Sequence, residues 1–490
     1  MTAENRLAPN HDRILVGGEW ISPSSPERIQ VISPTTEELV GQVAVAGPED
    51  VDRAVRAARA SFTRGDWRRL SVDERAAVLE RAFDLLDSRG EEIARTVTGE
   101  MGLPLSSAIQ QTPGSIARGR WFVEQARNLL RTEIRPGRVT AAVVKEPVGV
   151  VAAIAPWNGP FNSILMKTVP ALVTGCSVVY KPAPESPLDA FIVAEALCEA
   201  GVPDGVFNLV TGGRDTGKAM VGHPEVDKVS FTGSTAAGRE IGAVCGRNFT
   251  RVQLELGGKS AAIVLEDADL SVTIPQLVIG GFGNSGQICS ALTRILIPEH
   301  RYCEVTDALV AATETLRVGD PFDSATTTGP LVSRRQRDIV EDYIAAGIAG
   351  GADLLTGGRR PADRDRGWFV QPTIFGRAEN SMRICREEIF GPVVAVVPYR
   401  TLEEAIAIAN DSDYGLHGAV FTRDPATALH VARSVRTGTF SINAFAYNTE
   451  APFGGVKASG IGRDTGKEGI EAYLELKTIN LDAGTHLLMS

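Results

Sequence analysis

The chain has 490 residues, 43% hydrophobic and 22% charged, an ordinary globular mix too long for one simple core, so two or three domains are expected. A net charge of −10 with no basic cluster argues against a nucleic-acid partner. Six scattered cysteines (176, 198, 245, 289, 303 and 385) form no C-x-x-C pair, and the polar start has no apolar leader, which together suit free thiols in a reducing, cytoplasmic setting.

Apolar runs such as Val148–Ala155 are too short to span a bilayer, and six histidines show no paired ligand spacing, so neither a membrane nor a metal is expected.

Residues 1–46 hold short alternating runs (Ile14–Val16, Arg28–Ile32, Leu39–Val45) broken by Gly and Pro, which read as a small antiparallel sheet. From Pro48 the period becomes helical: Val51, Ala54, Val55, Ala58 and Phe62 share one face, and Ser71-x-x-Glu74 is a capping box before a second helix ending near Gly90. A third helix runs to about Gly99, Gly102 and Pro104 break it, and a fourth covers roughly 106–130. Arg138–Glu146 reads as a strand that pairs elsewhere in the chain or with another subunit.

From Val148 a βαβ rhythm sets in. Apolar runs (Gly149–Ala155, Ser177–Tyr180, Val206–Val210, Lys228–Phe231, Arg251–Leu254) alternate with helical stretches (163–174, 186–200, 215–222, 235–246). That pattern means a doubly wound parallel sheet with ligands at the carboxyl ends of its strands. Gly233-Ser234 opening a helix is a natural anion site, though it also fits an ordinary helix start. Lys181 at a strand end suits ribose or phosphate, or simply solvent. Glu255, flanked by Leu254 and Leu256, is a carboxylate whose desolvation would raise its pKa and suit a general base; pairing with a lysine is the alternative.

Asp269–Gly283 looks helical and delivers F-G-N-S-G-Q-I-C-S (282–290). Gly283 and Gly286 allow close backbone approach to Cys289, Asn284 and Gln287 can fix the loop, and Ile288 dries one flank. A cysteine so placed is a nucleophile able to form thiohemiacetals and thioesters, where the bland reading is a small buried hydrophobe. A second α/β unit begins near 257, with strands at Arg294–Ile297, Val393–Val397, 418–422 and Thr439–Asn443, helices at 300–316, 402–410 and 425–435, and a closing strand at Ala472–Leu481. Arg359–Arg366 is a charged loop tip.

The segments P-W-N (156–158), K-P-A (181–183), F-T-G-S (231–234), L-E-L-G-G-K-S (254–260), G-Q-x-C (286–289), E-E-I-F-G-P (387–392) and P-F-G-G (452–455) occur in an order that resembles the aldehyde dehydrogenase superfamily. The resemblance implies an NAD(P)-binding domain (1–125 and 148–256), a catalytic domain (257–457) and an oligomerisation ribbon (126–147 and 458–490) of a homodimer or homotetramer. It implies Cys289 as nucleophile, Glu255 as deacylation base, and Asn158 with the Cys289 N–H as oxyanion hole. Lys167 and Asp464 match a proton-relay pair. Lys181 and Glu388 match ribose contacts, Ser234 and Trp157 diphosphate contacts, and Phe390 a nicotinamide contact. Ile154, Ala155, Pro156, Pro184, Gly217, Phe231, Gly233, Leu256 and Gly257 complete the expected cofactor wall.

By the same resemblance, Gly159, Asn162, Met166, Phe282, Ile288, Ser290, Phe445 and Phe453 should line the substrate tunnel. None is charged, which disfavours succinate semialdehyde and favours medium or large apolar aldehydes, aromatic or branched. Pro184 stands where NAD-preferring members often carry Glu, with Glu185 one residue later and no evident Arg for a 2′-phosphate, so NAD is expected with measurable NADP use. Asp464 stands where Glu is usual. A CoA-acylating relative would lack a base such as Glu255, a cysteine hydrolase would need a histidine partner, and a scaffold would tolerate loss of Cys289 or Glu255.

Overall fold

The computed structural model describes residues 11–482, so the first ten residues of the expected cofactor domain and the last eight of the expected ribbon lie outside the described residues. Five parallel strands form the centre of the first sheet: Val150–Ile154, Ser177–Lys181, Phe207–Leu209, Lys228–Thr232 and Arg251–Glu255. The first three are fully buried, as strands covered by helices on both faces must be. Chain order runs outward from Val150–Ile154 in both directions, through Ser177–Lys181 and Phe207–Leu209 on one side and through Lys228–Thr232 and Arg251–Glu255 on the other. The sheet therefore has a topological switch point between Val150–Ile154 and Lys228–Thr232, where a crevice opens beyond the carboxyl ends. Pro156-Trp157-Asn158 and Gly233-Ser234 follow those two strands directly.

The N-terminal runs do not form one small sheet. Arg28–Ile32 and Leu39–Ala44 pair with each other, but Ile14–Val16 pairs with Glu19–Ile21 and joins the large sheet antiparallel to Phe207–Leu209. Ile14–Val16 is buried at every position instead of alternating, which is why it belongs to a covered sheet. The capping box forms as read: the Ser71 hydroxyl accepts from the Glu74 N–H and the Glu74 carboxylate accepts from the Ser71 N–H.

A second sheet holds six parallel strands, Thr373–Gly376, Val393–Tyr399, Leu292–Pro298, Ser260–Val264, Gly418–Phe421 and Ser441–Ile442, with Asp353–Thr356 antiparallel at one edge. Ser260–Val264 starts five residues after the last parallel strand of the first sheet ends, so a single short turn, 256–259, links the two. That central strand was not legible as one: its small residues S-A-A sit against a glycine pair and carry little β signal. Helix Arg334–Ala349 and strand Thr373–Gly376 were likewise unread.

Ala141–Pro147 pairs antiparallel with Leu474–Asn480 across seven residues and with Glu133–Arg135 on its other side, making a separate three-stranded arm within the one chain. Leu476 and Ile479 point outward from this arm. No helix of the described residues is long and apolar enough to cross a membrane.

Candidate active site

The thiol loop is built from an unusual run of backbone. Helix Leu270–Phe282 ends, and Asn284, Ser285 and Gly286 then take φ values of 50, 56 and 71°, three consecutive left-handed residues. Such a run costs roughly 1–2 kcal/mol per non-glycine residue and must be held by its surroundings. Three side chains hold it. Ser285 Oγ donates to the Gly329 carbonyl (2.8 Å), Asn284 Nδ2 donates to the Asn158 carbonyl (3.0 Å), and the buried Gln287 donates to the Asn284 carbonyl (3.1 Å) while accepting from the Val332 N–H (2.9 Å). A β-carbon on Gly286 would lie 2.0 Å from the Gly391 carbonyl oxygen, so the glycine is required by contact as well as by φ.

This loop sets Cys289 in the wall of a cavity of about 880 Å³ at the switch point. Cys289 keeps a partly open face toward the cavity, while dense protein around the sulfur pushes its thiol up to about 12, with Glu388 and Glu255 adding repulsion. Asn158 Nδ2 donates to the Gln287 carbonyl (2.9 Å), which leaves its second amide hydrogen free beside the thiol loop. The Cys289 N–H has no acceptor among the described residues. The two N–H groups can therefore meet a developing oxyanion.

Glu255 is 3% exposed, and neither of its carboxylate oxygens has a hydrogen-bond partner among the described residues. Burial, then the neighbouring Asp464, holds its pKa well above the usual carboxylate range, with Lys167 and Arg463 opposing. Behind it, Lys167 Nζ lies 3.8 Å from Asp464 Oδ2 and donates to Ser230 Oγ at 3.2 Å. The Gln253 amide donates to the other Asp464 oxygen. Asp464 exchanges both backbone hydrogen bonds with Phe453 (2.7 and 2.8 Å), which ties the P-F-G-G loop to this polar cluster.

The cavity wall contains every residue expected to hold a dinucleotide: Ile154, Ala155, Pro156, Trp157, Lys181, Pro184, Gly217, Phe231, Gly233, Ser234, Leu256, Gly257, Glu388 and Phe390. The donor set fits such a ligand. Helix Thr235–Asn248 begins at the cavity, capped by Ser234, so its free N–H groups can meet a diphosphate. Lys181 donates to the Pro182 and Gly212 carbonyls (both 2.9 Å), and burial lowers it to about 8. Glu388 accepts from the Gly258 N–H (2.9 Å) with one oxygen, leaving the other for a hydroxyl. Trp157 and Phe390 meet edge to face at 5.2 Å, and Phe390 is itself left-handed (φ 57°), its carbonyl held by Gln336 at 2.9 Å. Sequence reasoning missed Arg214 and Lys218 on the same wall, and Glu185, noted there only as the residue after Pro184, lines it too; the Arg214 guanidinium is engaged by Glu240 at 3.0 Å.

The substrate side divides. Gly159, Asn162 and Met166 are the half-exposed stripe of an otherwise buried helix, Pro160–Thr174, at helical spacing from Asn158. Phe445, Tyr447 and Phe453 make successive edge-to-face pairs at 5.4 and 5.6 Å, and Tyr447 donates to Ser290 Oγ (2.6 Å), one residue from the thiol. Ile288 is half-buried. Phe282 departs from expectation: at 3% exposure it packs in the apolar core behind the loop and supports it from there, because it closes the buried face of helix Leu270–Phe282. One neighbour of this stripe was invisible in sequence. Arg118, from helix Leu105–Leu129, donates to Asn162 Oδ1 and reaches Met166 Sδ at 3.4 Å, so the stripe does carry a cation.

Comparison with known proteins agrees with this geometry. The chain belongs to the aldehyde dehydrogenase family, whose model matches residues 20–479. It is 47% identical over 475 residues to a geranial dehydrogenase of Castellaniella defragrans, covering 96% of this chain and 99% of the relative. It is 43% identical to a 3-succinoylsemialdehyde-pyridine dehydrogenase of a Pseudomonas species, over 95% of this chain and 97% of that one. A Mycobacterium tuberculosis aldehyde dehydrogenase solved with NAD+ superposes with a TM-score of 0.95 at 45% identity, covering 97% of this chain and 99% of its own. A variant of aldehyde dehydrogenase C from Pseudomonas syringae, solved with NAD+ and octanal, gives 0.92 at 42%, covering 96% and 97%. The protein is an enzyme that oxidises aldehydes with NAD as cofactor.

Gly258 offers a test of how closely the loops must meet, since a β-carbon there would lie 2.3 Å from the Cys289 carbonyl oxygen. Gly258→Ala is expected to cut kcat by about a hundredfold through misplacement of the thiol. Single-turnover NADH release checks it, and a rate within a few-fold of wild type would show that the contact is not needed.

Proposed function

We propose that the enzyme oxidises medium or large, mainly apolar aldehydes to carboxylic acids through a covalent intermediate on Cys289. The reading rests above all on the convergence of Cys289, the Asn158 amide and Glu255 in the wall of one cavity. Cys289 gives up its proton to water in the cavity and its sulfur adds to the aldehyde carbon, while the carbonyl electron pair moves to oxygen. The Asn158 Nδ2–H and the Cys289 N–H stabilise that oxygen, each such donor being worth about 3 kcal/mol of barrier. NAD, which Lys181, Glu388 and the Ser234-capped helix would hold, would supply the oxidant that takes the hydride from the aldehyde carbon as the thioester on Cys289 forms. Glu255 then takes a proton from water, the water oxygen adds to the thioester carbon, and Cys289 departs as the acid forms. Lys167 and Asp464 stand behind Glu255 to carry the proton away.

A general base works deprotonated. Because burial raises the Glu255 pKa, the rising limb of kcat against pH is expected well above the ordinary carboxylate range. Glu255→Gln is expected to release one burst of NADH and then stall, with the acyl adduct on Cys289 visible by mass spectrometry. An unchanged steady-state rate and pH profile would assign the base elsewhere.

For the cofactor, the wall supports NAD over NADP with measurable use of both. Glu185, one residue past the expected position, lines the cavity and would repel a 2′-phosphate, while Arg214 is engaged by Glu240. Comparison of kcat/KM for the two is expected to favour NAD; a tenfold preference for NADP, about 1.4 kcal/mol, would reverse the assignment.

For the substrate, Phe445, Tyr447 and Phe453 offer flat apolar walls, and a β-carbon on Gly159 would meet nothing within 4 Å. Burial at ~25 cal/mol per Å² favours longer chains and rings. Benzaldehyde and hexanal are expected to give lower KM than acetaldehyde, and equal KM for all three would remove the argument.

A further inference from the structure

Helix Leu105–Leu129 packs along helix Pro160–Thr174, and at their seam lies a guanidinium with no counter-ion. Arg118 makes no ion pair among the described residues, unlike Arg120 two residues on, which is held by Glu80, Asp84 and Asp87. The Arg118 Nε is buried without an acceptor, and Nη1 is shared between Asn162 Oδ1 and Met166 Sδ. The sulfur is a weak acceptor, and Asn162 is already engaged by Ser115 Oγ at 3.4 Å. Burial alone acts on this group, lowering its pKa with no carboxylate to oppose it. Leaving a buried cation so poorly matched costs stability, and its two partners are residues of the half-exposed stripe that starts beside Asn158.

We propose that Arg118 determines substrate specificity by receiving an oxygen acceptor, a ketone or carboxylate, at the far end of the aldehyde. The inference rests on the substrate reading above and deepens it: an apolar middle between two polar ends. Asn162 and Met166 lie three and seven residues beyond Gly159, roughly 5 and 10 Å along the helix axis. A guanidinium spanning that interval reaches the tail of a medium-length chain whose aldehyde carbon sits at Cys289. Two or more charge-assisted hydrogen bonds become available to a planar acceptor there, where a plain hydrocarbon tail leaves the cation unmatched. A site built to hydrogen-bond an oxygen discriminates against the analogue that lacks it.

Steady-state kinetics with NAD on hexanal, 5-oxohexanal and 6-oxohexanoate tests this in the wild type, Arg118→Leu and Arg118→Lys. Wild type is expected to favour at least one oxygen-bearing aldehyde over hexanal by about tenfold or more in kcat/KM. The favoured arm distinguishes a neutral ketone from a carboxylate. Arg118→Leu should erase that preference by raising KM for the oxygen-bearing substrate alone, with kcat and hexanal turnover little changed, and Arg118→Lys should restore part of it. If Arg118 only braces the two helices, the leucine variant will lower all three substrates equally or unfold, and the lysine variant will show no substrate-selective change; either pattern overturns the proposal. Turnover of none of the three by wild type would overturn the aldehyde-size reading instead.

Discussion

Gly258 rests against the carbonyl of Cys289, and the arrangement of both sheets around the site depends on that backbone contact. The linking turn carries Glu255 at its start and leads into Ser260–Val264, so one short piece of chain ends the first sheet and begins the second. Its Gly258 N–H holds Glu388, and Gly257 has no side chain because a β-carbon would lie 2.3 Å from a Glu388 oxygen. A second backbone contact, Gly286 on Gly391, locks the thiol loop to the loop that bears Phe390. The proposed nucleophile, base and ribose carboxylate are therefore referenced to each other through main chain, which deforms less than side chains do.

The electrostatics of the site follow from that close packing. Cys289, Glu255 and Glu388 are all pushed up by burial, Glu388 to about 7, and each carboxylate adds repulsion at the sulfur. Burial thus favours the thiol of Cys289 over its thiolate, and the thiol is the less reactive form. The polar cluster behind Glu255 is organised differently: Lys167, Asp464, Gln253 and Ser230 are linked to one another, whereas neither carboxylate oxygen of Glu255 has a hydrogen-bond partner among the described residues. An unpartnered buried carboxylate is costly, and the base role proposed for Glu255 would account for that cost.

Much of this was legible in the residues. Period-2 and period-3.6 patterns located the parallel strands of the first sheet and the helices between them, because buried strands and amphipathic helices carry their burial in local sequence. Gly286 marked close approach at the thiol loop, and the order of seven short motifs marked the family. The alternation at Ile14–Val16 misled, since a strand inside a covered sheet and a strand of a small exposed sheet look alike over three residues. Ser260–Val264 escaped because its identity as a central strand comes from neighbours on both sides and not from its own small side chains.

The sequence by itself determined the two α/β units, the nucleophile and base candidates, and the residues fit to hold NAD, since each depends on residue type and short spacing. Only the tertiary structure decided what each group faces. Phe282 turned inward to the core, Glu185 came to the cofactor wall, and Arg118 crossed from a helix given no chemical role to stand beside Asn162 and Met166. The reason is physical: those placements are set by packing between segments more than forty residues apart, and no local period or propensity encodes the side of a helix that a distant neighbour will cover.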